Sequence, residues 1–309
     1  MGASAFAEPT YTVFTDTPVG GSGTTIRYGI NDMGGYAGWF MNSGTYLGFM
    51  HDGSGFSTVG PTSPVGTYAT GINNSNDVVG YYYGTTGFQG FIEKSGVYSG
   101  VNYPNARSTV VYGMNDTGQV VGYYTDASGV THGFVESAGV YTSIDVPGAV
   151  ATYVMGINDS GEIVGSYFDG TETHAFIDNA GTFTSIDFPG APVTFASSIN
   201  SAGVVVGWYE TCPGCPQIGF IRDTSGAYTS IAPMPGIPTY LTGINDSNEI
   251  LVAILGATNP SQFGTNFGML LSGVAPTTEM PEPGTLVLMA TGGVLLLALR
   301  RLRRRSSLV

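Results

Sequence analysis

An asparagine that recurs every 42 to 45 residues is the most repetitive polar feature of the chain. Each copy belongs to a Gly-Ile-Asn-Asp motif or to a variant of that motif. The six copies are Asn31, Asn73, Asn115, Asn158, Asn200 and Asn245. Aspartates follow four of them, namely Asp32, Asp116, Asp159 and Asp246. Side chains of this type form hydrogen-bonded turns at strand ends, and we expect that role here.

The alternative role for these oxygens is to bind calcium. Calcium takes about six to eight oxygen ligands on one centre. Equivalent residues of separate repeats are dispersed around a structure instead of meeting at one point. We therefore predict turns and no cofactor, with calcium as the alternative.

Three histidines and three strand-end residues are the other candidates for chemistry. They are His51, His132 and His174, and Asn102, Asp145 and Asp187. Without a cysteine or an acid at ligand spacing, each histidine is interpreted as a strand residue. Asp145 and Asp187 recur in Ile-Asp-x-Pro-Gly, with Asn102 at the same place, and this pattern indicates a capped strand exit.

The chain has no Gly-x-Ser-x-Gly elbow, phosphate loop or His-Glu-x-x-His motif. We therefore predict no catalytic residue and no metal site. A glycosidase needs two carboxylates about 5–10 Å apart across a cleft, and 22 acidic residues contain many possible pairs. Because no pair stands out, a glycosidase or lyase remains the alternative to a protein that is not an enzyme.

The fourth repeat shows most clearly the elements that carry these residues. Segments 151–158, 162–167, 173–177 and 182–186 read as strands, and turns rich in Gly, Asn and Asp separate them. A repeat of about 42 residues with four short strands is typical of a propeller blade. The sequence therefore predicts an all-β fold of four-stranded antiparallel blades.

The two ends of the repeat region decide the number of blades. Six segments supply three strands each, but the sixth stops near 267–271 without a fourth strand. Residues 11–16 match the fourth strand at 141–145, so they can complete the last blade. This arrangement closes the ring and removes a free sheet edge. We predict a six-bladed β-propeller over residues 11–272.

Charge and composition exclude some partners. Before residue 300 the chain has four basic residues against 22 acidic ones, a net charge of −18, so nucleic-acid binding is excluded. The 19 tyrosines, as in Tyr81-Tyr82-Tyr83 and Tyr123-Tyr124, are expected to pack between blades. Any that face outward would stack on sugar rings, and polysaccharide is therefore a candidate partner.

The C-terminus has three parts in order. Residues 273–284 are a Pro/Thr-rich linker that contains Pro281-Glu282-Pro283, and residues 285–309 are an apolar run with a basic end. The basic end contains Arg300, Arg301, Arg303, Arg304 and Arg305. The run predicts a short transmembrane helix whose arginines stay in the cytoplasm, so that the propeller lies outside.

This tail resembles the PEP-CTERM sorting signal of Gram-negative bacteria, with Pro281, Glu282, Pro283 and Thr285 as the motif residues. The resemblance implies recognition and cleavage by an exosortase, and a producer of exopolysaccharide. It also implies an anchor in the inner membrane before processing, and then the cell surface or extracellular matrix. At the other end, residues 1–10 read as the remnant of a signal peptide, with Ala5-Phe6-Ala7 as a cleavage site, or as a disordered terminus.

Two cysteines, Cys212 and Cys215, flank Pro213-Gly214 in the fifth repeat. In an exported chain this pattern predicts a small disulfide. Free thiols are the alternative. A redox motif would open a helix, and zinc would need two further ligands.

The repeats also resemble the extracellular HAF repeats of bacteria. His174-Ala175-Phe176 is the full triplet and His132-Gly133-Phe134 is close to it. The other four copies lack the histidine and read Leu47-Gly48-Phe49, Gln89-Gly90-Phe91, Ile218-Gly219-Phe220 and Phe267-Gly268-Met269. The resemblance implies an exported repeat protein. We expect a non-enzymatic interaction module of the cell surface or exopolysaccharide matrix, with a calcium-dependent adhesion module as a further alternative.

Overall fold

The structure is a computed structural model that describes residues 10–14, 18, 24–63, 65–85, 87–255 and 266–273. The described residues contain no helix and form 24 β-strands. Among them there is consequently no helix long and apolar enough to cross a membrane. The predicted C-terminal helix, the Pro-Glu-Pro motif and the arginine cluster lie outside the described residues.

Strand β1 (Thr10–Val13) precedes the first complete blade. Blade 1 contains β2 (Thr25–Ile30), β3 (Tyr36–Asn42), β4 (Thr45–His51) and β5 (Phe56–Val59). Blade 2 contains β6 (Thr67–Ile72), β7 (Val78–Tyr83), β8 (Phe88–Lys94) and β9 (Val97–Val101). Blade 3 contains β10 (Ser108–Met114), β11 (Val120–Thr125), β12 (Thr131–Ser137) and β13 (Val140–Ile144).

Blade 4 contains β14 (Ala151–Ile157), β15 (Ile163–Phe168), β16 (Thr173–Asn179) and β17 (Thr182–Ser185). Blade 5 contains β18 (Val193–Ile199), β19 (Val205–Glu210), β20 (Ile218–Arg222) and β21 (Tyr228–Ile231). Blade 6 contains β22 (Thr239–Ile244), β23 (Ile250–Leu255) and β24 (Asn266–Ser272). Within each blade, successive strands pair antiparallel. One parallel pairing, between Thr173 and Val193, joins blades 4 and 5 into a single sheet.

Strand β1 completes blade 6. It pairs antiparallel with β24, with Thr10 opposite Ser272 and Val13 opposite Met269. Tyr11 and Val13 pack against the buried cluster of this blade. The prediction that the N-terminal strand closes the last blade is therefore confirmed.

A phenylalanine on the third strand fills the core between neighbouring blades. These rings have no exposed surface, and they are Phe49, Phe91, Phe134, Phe176 and Phe220. In the cluster between blades 2 and 3, Phe134 packs with Val79 and Val111. Full burial of such a side chain contributes about 1.5–3 kcal/mol to the free energy of folding, relative to leaving it exposed. The apolar end of each His-Ala-Phe-like triplet is thus a core residue.

Candidate functional site

The six repeated asparagines lie at the ends of the innermost strands, and all are buried. Each side-chain oxygen accepts a hydrogen bond from the backbone N–H four residues later. The donors are Gly35 (2.7 Å), Asp77 (2.9 Å), Gln119 (2.9 Å), Glu162 (2.9 Å), Val204 (2.9 Å) and Glu249 (2.8 Å). The turn between the first two strands of every blade is built in this way.

The side-chain nitrogens of the same asparagines connect the blades. Five of them donate to the carbonyl oxygen of the asparagine in the next blade. These hydrogen bonds run from Asn31 to Asn73 (2.9 Å), from Asn115 to Asn158 (3.0 Å), from Asn158 to Asn200 (3.1 Å), from Asn200 to Asn245 (3.2 Å) and from Asn245 to Asn31 (3.1 Å). The last bond joins blade 6 to blade 1. We call these six residues the asparagine belt.

The residues that follow the belt form a second, exposed ring, which we call the rim. It contains Asp32, Asn74, Asp116, Asp159, Ser201 and Asp246. Rim backbone N–H groups donate to the rim side chain of the next blade, as from Asp116 to Asp159 (2.8 Å) and from Asp246 to Asp32 (2.7 Å). The amide of Asn74 also donates to both Asp32 (2.8 Å) and Asp116 (2.6 Å). The rim carboxylates are therefore used to join blades.

The belt and rim surround a cavity of about 70 Å³ on the axis. Its floor consists of the residues before the belt, namely Ile30, Ile72, Met114, Ile157, Ile199 and Ile244. This volume holds a few water molecules and is too small for a sugar ring. Among the described residues, no group of three or more His, Cys, Asp or Glu side chains is placed to hold a metal ion.

Aromatic rings on the two innermost strands pack against one another within blades and between neighbouring blades, and we call this group the aromatic cluster. Its residues are Tyr28, Trp39, Tyr68, Tyr81, Tyr112, Tyr123, Tyr153, Phe195, Trp208 and Tyr240. Neighbouring rings have centroids 4.2–6.5 Å apart. Tyr28 of blade 1 and Tyr112 of blade 3 lie 6.5 Å apart although their blades are not adjacent, so they meet across the axis.

The tyrosines at the centre of this cluster are largely enclosed. Burial raises the pKa of Tyr28 and of Tyr123 to about 12, and it also raises the pKa values of Tyr81 and Tyr112. The rings are therefore surrounded by protein. All four side chains keep part of their surface exposed, whereas the core phenylalanines keep none.

The cysteine loop is connected to Tyr240 of the aromatic cluster through Glu210 and Gln217. Cys212 and Cys215 form a disulfide in the turn between β19 and β20. Glu210, which is 9% exposed, accepts hydrogen bonds from the N–H of Gly214 (2.9 Å) and from Nε2 of Gln217 (2.6 Å). The Tyr240 hydroxyl donates to Oε1 of Gln217 (2.8 Å). Burial, together with the Glu210 charge, raises the pKa of Tyr240.

Sequence reasoning did not identify Glu210, Gln217 or Tyr240 as site residues. Their roles depend on contacts between blades 5 and 6, which no local pattern encodes. The one available signal was the cysteine loop, because it departs from the repeat. The tyrosines were expected to pack between blades, and several of them do, as in the contacts of Tyr81 with Tyr112 and of Tyr123 with Tyr153.

The histidines of blades 3 and 4 are paired with carboxylates. His132 Nδ1 lies 2.7 Å from Asp145, and His174 Nδ1 lies 2.8 Å from Asp187. The other ring nitrogen of His174 faces Asp169 at 3.3 Å. Both histidines are strand residues as expected, on β12 and β16. Their acid partners come from the strand exit and from the neighbouring turn, and the sequence did not predict these contacts.

The strand-exit residues accept hydrogen bonds from backbone N–H groups, as expected for residues that cap a strand. Asp187 accepts the N–H of Ala175 (3.0 Å), and Asn102 accepts the N–H of Gly90 (3.2 Å). His51 also has a local role, since its Nδ1 accepts the N–H of Gly53 (3.1 Å) and its ring stacks on Tyr36 at 4.8 Å. These polar side chains therefore fix turns and strand ends.

The chain matches no protein-family model. It also matches no curated protein. Among solved structures, it is similar to TolB from Acinetobacter baumannii, with 11% identity, 78% of this chain and 64% of that chain covered, and a TM-score of 0.55. The chain has the β-propeller fold. It spans less than two thirds of TolB.

Two further similar structures have lower TM-scores. The fungal lectin of Aleuria aurantia, described as a six-bladed β-propeller, has 13% identity, 67% of this chain and 76% of that chain covered, and a TM-score of 0.43. A putative gluconolactonase has 11% identity, with 87% and 95% covered and a TM-score of 0.48. At these identities the similarity concerns the fold alone.

Replacing a belt asparagine should destabilise the whole ring. We expect Asn158→Ala to lower the free energy of unfolding by about 3 kcal/mol, since it leaves the Asn200 carbonyl and the Glu162 N–H without their partner. Urea denaturation measures this difference. Asp159→Asn is the matched control, because an amide oxygen can still accept the N–H of Asp116 and Asn74 already occupies this position in blade 2. Equal losses in both variants would contradict the role given to the belt.

The His174 pairing should make stability depend on pH. Burial lowers the pKa of His174, but its hydrogen bonds to the Asp187 and Asp169 carboxylates and their negative charges outweigh this effect, so the net shift of the pKa is upward. The protonated form is then favoured in the folded state, and its stabilisation is complete below the unfolded pKa and is lost as the pH rises through the folded value. We expect His174→Gln to be less stable than wild type at pH 5.5, with the difference shrinking by pH 9 in urea denaturation. Gln89 occupies this position in blade 2, so the variant has a natural precedent. A difference that does not change with pH would contradict this account.

Proposed function

We propose that this protein is an exported, non-enzymatic interaction module of the cell surface or exopolysaccharide matrix. The observation that carries the proposal is that the repeated acidic side chains and two of the histidines are engaged with other groups of the propeller itself.

The arrangement of the acidic and histidine side chains supports a binding role over hydrolysis. The rim carboxylates accept backbone N–H groups from the neighbouring blade, and Asp145 and Asp187 are paired with histidines. A glycosidase needs one carboxyl group as proton donor and another as base or nucleophile across a cleft. Side chains that hold the fold together are poorly suited to exchange protons with a substrate.

The location of the protein is proposed from its C-terminal tail. An exosortase-type enzyme would recognise Pro281, Glu282 and Pro283 after the apolar run has anchored the chain in the inner membrane. Arg300 to Arg305 would hold the end of the run on the cytoplasmic side. Cleavage would then release the propeller to the cell surface or matrix.

Changing the sorting motif tests the location. In a Gram-negative host that carries a matching exosortase, we expect Pro281→Ala/Glu282→Ala/Pro283→Ala to keep the protein in the inner-membrane fraction, while wild type reaches the surface or medium. Thr277→Ala/Thr278→Ala is the matched control, since it changes the same linker outside the motif. The same distribution for wild type and the motif variant would refute sorting by this tail.

A polysaccharide panel tests the binding role. We expect the full chain to be retarded by at least one polysaccharide in affinity electrophoresis without releasing new reducing ends from it. Retardation that is accompanied by new reducing ends would identify an enzyme instead. No retardation by any polymer would remove the support for a matrix role.

A further inference from the structure

We infer that the outer edge of blade 6 is a docking site for the N-terminal strand of a second copy of this chain, so that two copies exchange residues 10–14. The donor is the segment that already occupies this edge within one chain. An exchanged strand makes the same contacts with its new partner. The interaction is independent of the ligand and of the location proposed above.

The fourth strand of blade 6 differs from the other fourth strands in how the chain connects it. A two-residue turn joins the third strand to the fourth in blades 2, 3 and 4, and turns of four and five residues do so in blades 1 and 5. Strands β1 and β24 instead pair across 262 residues of sequence. Because no turn holds it to its partner, β1 can leave β24 while every hairpin of the propeller stays intact.

Phe14 shows that this segment is also packed less completely than its equivalents. Its N–H donates to the carbonyl oxygen of Gly268 (3.2 Å), the central residue of the last triplet. The residues at the same place in the other blades are only 3–8% exposed, and they are Val59, Val101, Ile144, Ile186 and Ile231. Phe14 is partly exposed, as are Tyr11 and Val13. Local opening costs least where apolar side chains are incompletely buried, so β1 detaches more readily than the hairpin-linked strands.

The edge that β1 leaves is apolar and is formed by blade 6 without it. Strand β24 contains no charged residue, and β23 holds it through a continuous antiparallel ladder. Met269 and Leu271 of β24 are 1% and 0% exposed while β1 is in place. An uncharged edge with free backbone groups is a template for another strand. A strand with the sequence of β1 is the one that this edge already fits.

The contacts at the two ends of the donor fix its register. The hydroxyl groups of Thr10 and Ser272 share a hydrogen bond of 2.9 Å. At the other end the Phe14 ring lies 5.1 Å from the Tyr36 ring, and the Arg27 guanidinium carbon lies 4.0 Å from the Phe14 centroid. Two exchanged chains make these contacts as two closed monomers do. Exchange is therefore a low-cost route to a dimer, and its extent depends on protein concentration.

Two full-length variants with one added cysteine each test the exchange. Ser272→Cys is the acceptor, and Thr10→Cys, which carries a mass tag, is the donor. They are mixed in urea, refolded together in a mild detergent and oxidised. We expect a covalent donor–acceptor product on non-reducing gels, because the two side chains are in contact when β1 is seated on β24. The share of this product should rise with protein concentration.

Thr12→Cys in place of Thr10→Cys is the matched control for the donor. Thr12 lies opposite Leu270, two residues from Ser272 along β24. The two sulfur atoms are then roughly 7 Å further apart in a seated strand, which is too far for a disulfide. We expect little cross-linked product from this donor. Equal yields from the two donors would show random collision of the chains and would overturn the docking.

Charges placed in the acceptor's own β1 test whether the two strands compete for one edge. We expect Tyr11→Asp/Val13→Asp in the Ser272→Cys chain to raise the cross-linked yield several-fold, since its own strand no longer covers β24. Val97→Asp/Ser99→Asp adds the same charge to the exposed strand β9 and should leave the yield unchanged. If the first variant does not fold in thermal unfolding, Tyr11→Ala/Val13→Ala replaces it with the same expected direction. An unchanged yield in the variant that folds contradicts competition for the edge.

The double variant Thr10→Cys/Ser272→Cys makes a negative result decisive. Its cysteines can form a disulfide within one chain, which shows that the register permits the bond. If this variant cross-links internally while the mixed single variants give no product at any concentration, each ring closes only with its own strand and the inference is wrong. A product that depends on both cysteine position and concentration supports exchange between copies.

Discussion

The bond between a belt amide and the carbonyl of the next belt asparagine is the interaction on which the rest of the structure depends. One asparagine side chain holds its own hairpin turn through its oxygen and the neighbouring blade through its nitrogen. Aspartate has no donor for the second bond, and serine has no planar amide to reach both partners. The need for a donor and an acceptor on one short side chain explains the asparagine in the five blades where both bonds form, and Asn73 shares the turn bond.

The belt also fixes how close the innermost strands come. Because both partners of each bond are buried, leaving either unpaired is costly, and the blades therefore keep a constant spacing at this end of the axis. Three residues before the belt, the inner strands carry different side chains, as Tyr28, Thr70, Tyr112 and Ser197 show. Threonine at this position also joins blades, since the hydroxyl groups of Thr70 and Thr242 donate to carbonyl oxygens of the next blade. The belt position is thus uniform, and the position three residues earlier varies from blade to blade.

This difference explains how much the sequence could predict. The strands, the turns, the blade number and the closing strand follow from patterns within a single repeat, or from matching one repeat to another, and the structure agrees with them. The contact of Tyr28 with Tyr112 could not be predicted, since the two rings come from blades that are not adjacent. The pairing of His174 with Asp187 was missed for a related reason, because thirteen residues separate two side chains that meet only when the third and fourth strands pair.

The pairing of β1 with β24 has a consequence for the order of events during folding. Thr10 and Ser272 are separated by 262 residues yet share a hydrogen bond between their side chains. Loop closure over such a distance is slow compared with the local pairing within blades. The ring therefore closes after the individual blades have formed their local pairs, and a change in β1 affects closure of the ring more than it affects pairing within blades 1 to 5.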